Sequence, residues 1–119
     1  MIEPVVVRIL YYQTVDEKRP FEEWLNELRA DRRARAAILV RIDRMERGLI
    51  GDWKSVGGGV GELRVDFGPG YRIYFGRDGM TVVVLLCGGY KGTQIRDIAR
   101  ARQYWRDYEK RKRSSGGSA

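Results

Sequence analysis

The sequence contains no histidine, one cysteine and three prolines, and no apolar run approaches the roughly 20 residues that span a bilayer. The missing histidine excludes Ser-His-Asp triads, histidine metal centres and a histidine general base. A single cysteine excludes an internal disulfide and a four-cysteine zinc site, and it fits a reducing cytoplasm. We therefore expect a cytoplasmic protein in which Cys87, within an apolar strand, is a small buried apolar residue.

Arginine, in contrast, is abundant. The 119 residues include 23 basic and 16 acidic side chains, a net charge of +7, and 18 of the cations are arginine. Because guanidinium binds phosphate through a planar fork, this composition favours a nucleic acid or an acidic partner. The alternative is a cationic surface that only maintains solubility.

The chain is long enough for one hydrophobic core but not for two. We expect one domain over residues 1–113, followed by a flexible Ser/Gly tail at 114–119. Periodicity predicts an α+β fold with the order β-α-α-β-β-β-α, a mainly antiparallel sheet, two N-terminal helices packed on one face and a C-terminal helix. The first strand is predicted over Val5 to Tyr12.

Side-chain spacing and end signals define the helices. The apolar stripes are Phe21, Trp24, Leu25 and Leu28 in the first helix, and Ala34, Ile38, Ile42 and Met45 in the second. Pro20 begins the first helix, Asp31 caps the second and Gly48 ends it. Thr93 is expected to cap the last helix, in which Ile95, Ile98, Arg102, Trp105 and Tyr108 share one side.

Residues 62–75 alternate between apolar and polar around the turn Gly68-Pro69-Gly70. This hairpin is expected to pair Asp66 with Arg72 and Arg64 with Tyr74. Its apolar face would contact the two N-terminal helices, so Arg64, Arg72 and Tyr74 would emerge together on the face those helices leave uncovered. Such a surface suits the gripping of phosphate and the stacking of a base. The alternative is ordinary outward strand residues with a weak Asp66–Arg72 pair.

Two glycine-rich segments flank this hairpin. Lys54 precedes Gly57-Gly58-Gly59-Val60-Gly61, which we interpret as a mobile connector, with phosphate cradling as a weaker alternative. Tyr90 and Lys91 lie between Gly88 and Gly92, where they would serve a base and a phosphate, or simply form a turn. The last helix and its extension contain nine cations, Arg96 among them, and only three carboxylates.

A series of motifs resembles the addiction-module killer proteins, the HigB-related toxins of the RelE/ParE superfamily. The motifs are Pro20-Phe21-Glu22-Glu23-Trp24-Leu25, Gly51-Asp52-Trp53-Lys54-Ser55-Val56-Gly57, Glu62-Leu63-Arg64, Gly68-Pro69-Gly70-Tyr71-Arg72-Ile73-Tyr74-Phe75, Leu85-Leu86-Cys87-Gly88-Gly89, Lys91 and Gln94-Ile95-Arg96-Asp97-Ile98-Ala99. The resemblance covers residues 3–108. It departs from the family's pattern at Tyr90, where an acidic residue is common, at Gly92, where a hydroxyl residue is common, and in the absence of histidine.

The resemblance implies the toxin of a bacterial type II toxin–antitoxin pair, and specifically a ribosome-dependent mRNA endoribonuclease that inhibits translation. Its implied partners are the ribosome, mRNA and a cognate antitoxin, usually a helix-turn-helix protein. No membrane, cofactor or metal is implied. The family's working residues correspond to Lys54, Arg64 and Arg72, with Tyr74 completing the catalytic set and Tyr90, Lys91 and Arg96 assigned to substrate binding. The alternatives are a ParE-like gyrase inhibitor with the same fold and a non-catalytic nucleic-acid-binding module.

The ribonuclease hypothesis has a geometric requirement. Attack of a ribose 2′-OH on the adjacent phosphate develops negative charge, which Arg64 and Arg72 would stabilise. Lys54 would act as a base or a charge stabiliser, and Tyr74 or Tyr90 would stack or orient a base. Both guanidinium groups must therefore converge, uncovered, over one spot, and Arg72→Ala is expected to abolish cleavage while leaving the fold intact.

Overall fold

The structure, a computed structural model, describes residues 6–116 and shows an α+β fold with a five-stranded mixed sheet and three helices. In chain order the elements are β1 (Arg8–Tyr11), α1 (Pro20–Glu27), α2 (Arg32–Glu46), β2 (Trp53–Ser55), β3 (Val60–Val65), β4 (Tyr71–Asp78), β5 (Val82–Tyr90), a 3-10 turn (Lys91–Thr93) and α3 (Gln94–Gly116). The sheet order is β1-β5-β4-β3-β2. β1 is parallel to β5 and the other pairs are antiparallel. Val5, where the first strand was predicted to begin, lies outside the described residues.

The two N-terminal helices form as predicted and cover one face of the sheet. Pro20 is the first residue of α1, and the Asp31 side chain caps α2 by accepting a hydrogen bond from the Ala34 N–H at 3.1 Å. All eight stripe residues are buried, in one cluster with apolar side chains of β3, β4 and β5. Glycine at position 48 takes φ +82° just beyond α2, consistent with its predicted role in ending the helix.

The sheet contains one strand more than the predicted order. Trp53–Ser55 forms β2, which pairs with β3 so that Lys54 lies opposite Glu62. The segment Gly57–Gly59 is therefore the tight turn of a hairpin, not a mobile connector: Val56 N–H donates to the Val60 carbonyl and Val60 N–H to that of Gly57. All three glycines have positive φ, which other residues adopt only with strain.

The β3–β4 hairpin keeps the predicted alternation but not the predicted register. Arg64 lies opposite Arg72, and Glu62 opposite Tyr74, so the expected Asp66–Arg72 and Arg64–Tyr74 pairings are wrong. The strand ends at Val65 and the connection is longer than three residues, which moves every partner by two positions. A shift of two leaves each side chain on its predicted face.

The face that we expected to be open is partly covered by α3. Trp105 and Ala101 of α3 are buried against Tyr74 and the α3-facing side chains of β5. Glycine at position 76 allows this approach, because a Cβ there would overlap the Trp105 ring. Ile95, which was predicted to share a helix side with Trp105, is 90% exposed, whereas Trp105 is buried. Residues Ser114–Gly116, expected in the flexible tail, are helical, and 117–119 lie outside the described residues.

Gly88 gives a measurable test of packing between α1 and β5. A Cβ at this position would overlap the ring of Trp24, whereas one at Gly92 would meet open space. We expect Gly88→Ala to lower the free energy of unfolding by about 1–3 kcal/mol. The matched control Gly92→Ala should change it by less than about 0.5 kcal/mol. Urea unfolding followed by tryptophan fluorescence measures both, and equal stability of the two variants would contradict this packing.

Within residues 6–116, no helix combines the length and the apolar character needed to cross a membrane.

Candidate functional site

Two neighbouring rows of side chains cross the sheet on the face that α3 partly covers. In one row Lys54 of β2 lies opposite Glu62 of β3, which lies opposite Tyr74 of β4. In the next row Arg64 of β3 lies opposite Arg72 of β4. We call these five residues the cation cluster. Four of its members are the predicted Lys54, Arg64, Arg72 and Tyr74, which come from three strands and which the antiparallel register brings together.

Glu62 is the centre of the cation cluster. Its side chain is fully buried, and its Oε2 accepts hydrogen bonds from the Tyr74 hydroxyl at 3.0 Å and from Nε2 of Gln94 at 2.9 Å. Its Oε1 lies 3.9 Å from Lys54 Nζ and 3.8 Å from Arg72 Nε. A carboxylate at this distance from two cations compensates their charge and limits their mutual repulsion.

The expectation that Arg72 and Tyr74 lie on an uncovered surface is wrong. Tyr74 has no exposed surface and Arg72 is 6% exposed. Burial, reinforced by the hydrogen bond to Glu62, raises the pKa of Tyr74 above its usual range. The Tyr74 ring therefore cannot stack on a base. Arg72 Nη1 instead donates to the carbonyl of Tyr71 at 3.1 Å. Arg72 and Tyr74 are buried because α3 lies over this part of the sheet, with its side chains Trp105 and Gln94 facing the strands.

Arg64 and Lys54 are the accessible cations of the cluster. The Arg64 side chain is half-buried, and within the described chain its guanidinium makes no hydrogen bond or ion pair. Its backbone is held instead, because Arg41 of α2 donates to the Arg64 carbonyl at 2.6 Å. The Lys54 side chain is 53% exposed. The Lys54 ammonium lies 3.9 Å from the Glu62 carboxylate and is partly open to solvent, which places its positive charge where an anionic group could approach it.

The three residues predicted to bind substrate take different positions. Lys91 is exposed at the hairpin end of the cluster, where its N–H donates to the Gly70 carbonyl. Tyr90 faces the other side of the sheet and packs at ring-centroid distances of 5.4 Å from Tyr71 and 6.5 Å from Trp24. Arg96 is exposed and lies 3.5 Å from the Asp97 carboxylate. Of the three, only Lys91 adjoins the cation cluster.

Beside the cluster, Asp97 and Cys87 are also buried. The Asp97 carboxylate accepts a hydrogen bond from Thr93 Oγ1 at 2.5 Å, and Thr93 in turn accepts from Tyr90 N–H at 3.2 Å, which orders the start of α3. Burial, with a contribution from Asp97, raises the pKa of the Cys87 thiol to about 12. A thiol of this kind is unreactive, as expected for a small apolar residue. Among residues 6–116, no cluster of three or more acidic or cysteine side chains is arranged to hold a metal ion.

Sequence reasoning missed Glu62 and Gln94. Glu62 occupies the outward-facing position of an alternating strand, where a carboxylate is usually solvated. The available signal was its place two residues before Arg64, on the same face of β3. Gln94 gave no comparable signal, because its contact with Glu62 joins residues 32 apart and depends on where α3 begins.

The protein therefore has an α+β fold and a buried carboxylate among basic side chains. No family model matches the chain. An uncharacterized protein from Haemophilus influenzae (strain ATCC 51907 / DSM 11121 / KW20 / Rd) is 48% identical over 82 residues, which are 69% of this chain and 82% of that protein. The chain therefore belongs to the same family as this Haemophilus protein.

Proposed function

We propose that this protein is a HigB-related toxin of the RelE/ParE superfamily, from a bacterial type II toxin–antitoxin pair, and that it cleaves mRNA on the ribosome. The observation that carries the proposal is the juxtaposition of Arg64 and Arg72 on adjacent strands, with Lys54 one row away on the same face. The observed elements are compatible with a RelE-like β-α-α-β-β-β-α order to which β2 is added. The proposed partners are the ribosome, mRNA and a helix-turn-helix antitoxin, and the proposed location is the cytoplasm.

The proposed reaction forms a bond between the ribose 2′ oxygen and the adjacent phosphorus and breaks the bond from phosphorus to the 5′ oxygen. The 2′ hydroxyl loses its proton, the departing 5′ oxygen gains one, and a cyclic or 3′ phosphate remains. Arg64, Lys54 and Lys91 are accessible enough to contact the phosphate and its developing charge. Arg72 is buried, so its positive charge would act on the phosphate without direct contact. The ribosome would supply much of the in-line alignment.

The burial of Arg72 and Tyr74 supports a second candidate. A ParE-like gyrase inhibitor with the same fold would need no exposed catalytic set, and only part of the cluster is exposed here. The accessible Arg64 and Lys54 distinguish the candidates, because a phosphodiester-cleaving site requires such cations and a gyrase-trapping protein does not.

Controlled expression in a bacterium separates these functions. We expect growth arrest together with new 5′ ends inside coding regions, mapped by primer extension, while plasmid supercoiling stays normal. Arrest with intact mRNA and trapped gyrase–DNA complexes would replace the ribonuclease by the gyrase inhibitor. Binding to free nucleic acid without arrest or cleavage would indicate a non-catalytic binding module. Co-expression of a helix-turn-helix protein from the neighbouring reading frame should restore growth.

A further inference from the structure

The carboxylate of Glu62 touches most of the cation cluster, although neither the motifs nor the proposed reaction gives it a task. We propose that Glu62 is a positioning residue that holds Lys54 and Arg72 in place for an RNA phosphate. This inference rests on the proposed function, since it assigns a role within the same site. Because Glu62 is fully buried, it acts through the two cations and does not contact the substrate itself.

The two oxygens of Glu62 have unlike surroundings. Oε2 accepts from Tyr74 and Gln94 at 3.0 and 2.9 Å, so the carboxylate is anchored from β4 and from α3. Oε1 is directed toward Lys54 Nζ and Arg72 Nε, at 3.9 and 3.8 Å, beyond hydrogen-bonding distance. Within the described residues, both Oε1 and Arg72 Nε are buried without a hydrogen-bond partner. Buried polar atoms without a hydrogen bond are costly, and these two face each other across the 3.8 Å ion pair instead of closing into a hydrogen bond.

This geometry attracts the cations without neutralising them in direct hydrogen bonds. Anchoring of Oε2 prevents the carboxylate from rotating to close on Arg72 or Lys54. One negative charge restrains two positive ones, which leaves net positive charge for a phosphate beside Arg64. The exposed end of Lys54 is then free to exchange part of its contact with Glu62 for a phosphate oxygen.

Glu62→Gln tests the proposal, because glutamine keeps the size and one oxygen acceptor for Tyr74 and Gln94 but removes the charge. Single-turnover cleavage of mRNA on programmed ribosomes gives the maximal rate and the half-saturating toxin concentration. We expect the rate to fall about tenfold, as for other residues that orient a functional group. The half-saturating concentration should not rise, because the variant has lost a negative charge that competes with RNA.

Binding to a single-stranded RNA made uncleavable by 2′-O-methyl groups provides a readout independent of catalysis. Because one cation is released from its counter-ion, the slope of log affinity against log salt should steepen by about 0.7 in Glu62→Gln. If Glu62 only stabilised the fold, Glu62→Gln would lower the fraction of active protein and leave the salt slope unchanged. The matched control Glu27→Gln, at an exposed position of α1, should leave rate, binding and slope unchanged.

Tyr74→Phe is the second variant, since it removes one hydrogen bond to Oε2 and keeps the ring. We expect a smaller fall in cleavage rate, about threefold, with an unchanged salt slope. Wild-type cleavage in folded Glu62→Gln, or slower cleavage with weaker RNA binding, would overturn the positioning role. If Glu62→Gln fails to fold, a wild-type rate in Tyr74→Phe overturns it. Failure of the wild-type protein itself to cleave would instead remove the proposed function, and this inference with it.

Discussion

Replacing Arg64 with alanine is expected to lower the maximal rate of ribosome-dependent mRNA cleavage by about 100-fold or more while the protein stays folded. Arg64 is the partly accessible arginine of the cation cluster, and no carboxylate within residues 6–116 pairs with its guanidinium. Its backbone carbonyl, not its side chain, accepts the hydrogen bond from Arg41, so the link between α2 and β3 survives the substitution.

The measurement is single-turnover cleavage on programmed ribosomes, with circular dichroism and thermal unfolding to confirm the fold. Arg64→Lys should retain part of the rate, because it keeps the charge and loses the planar fork. The matched control is Arg33→Ala, which removes an exposed cation from α2 and should cleave like wild type. Full activity in folded Arg64→Ala would show that this face of the sheet is not the cleavage site.

Arg72→Met is expected to lower the free energy of unfolding by about 3 kcal/mol, in contrast to the sequence-based expectation that Arg72 can be replaced without effect on the fold. Arg72 and Glu62 are 8% and 0% exposed at their side chains and lie 3.8 Å apart. Removal of Arg72 leaves the buried Glu62 carboxylate with the ammonium of Lys54, which is half-exposed and therefore screened by solvent. Burial of a poorly compensated charge is unfavourable.

A double-mutant cycle measures the interaction free energy between Arg72 and Glu62. Combining Arg72→Met with Glu62→Gln should recover at least about 1 kcal/mol, because the remaining side chain is neutral and still accepts hydrogen bonds from Tyr74 and Gln94. Arg77→Met, at an exposed position of the same strand, should cost less than about 1 kcal/mol, the value of its contact with the Trp53 ring. Additive costs in the urea-unfolding cycle would show that Arg72 and Glu62 do not interact.

These two predictions give Arg64 and Arg72 different roles, although the sequence pattern did not distinguish between them. Both occupy outward positions of alternating strands, and the register places them opposite each other. Arg64 remains accessible and can contact a phosphate, whereas Arg72 is enclosed near the start of α3 and acts through its charge. The requirement that both guanidinium groups be uncovered is therefore not met, because Arg72 is buried. The proposed cleavage site depends on Arg64 and Lys54 more than on Arg72.

Local patterns were sufficient to predict the two N-terminal helices and the sheet face on which each side chain of the β3–β4 hairpin lies. The stripe from Phe21 to Leu28 became the buried side of α1, and Asp31 capped α2, because helical spacing and capping depend on residues a few positions apart. Alternation with a period of two likewise placed Leu63 and Ile73 toward α1 and α2. In each case the interacting groups are close in the sequence, and no information about distant elements is needed.

The sequence by itself determined which side chains share a helix stripe or a sheet face, and so it brought Arg64 and Arg72 to the same side. Lys54 joined them only in the folded chain, through the unpredicted strand β2. Only the tertiary structure decided how deeply each of them lies, because burial depends on the path of α3 across β4. That path is set by contacts between distant residues, such as Trp105 over Gly76 and Gln94 on Glu62. Such contacts leave no periodic signal in the sequence, and for that reason the buried carboxylate at the centre of the cluster was found only in the folded chain.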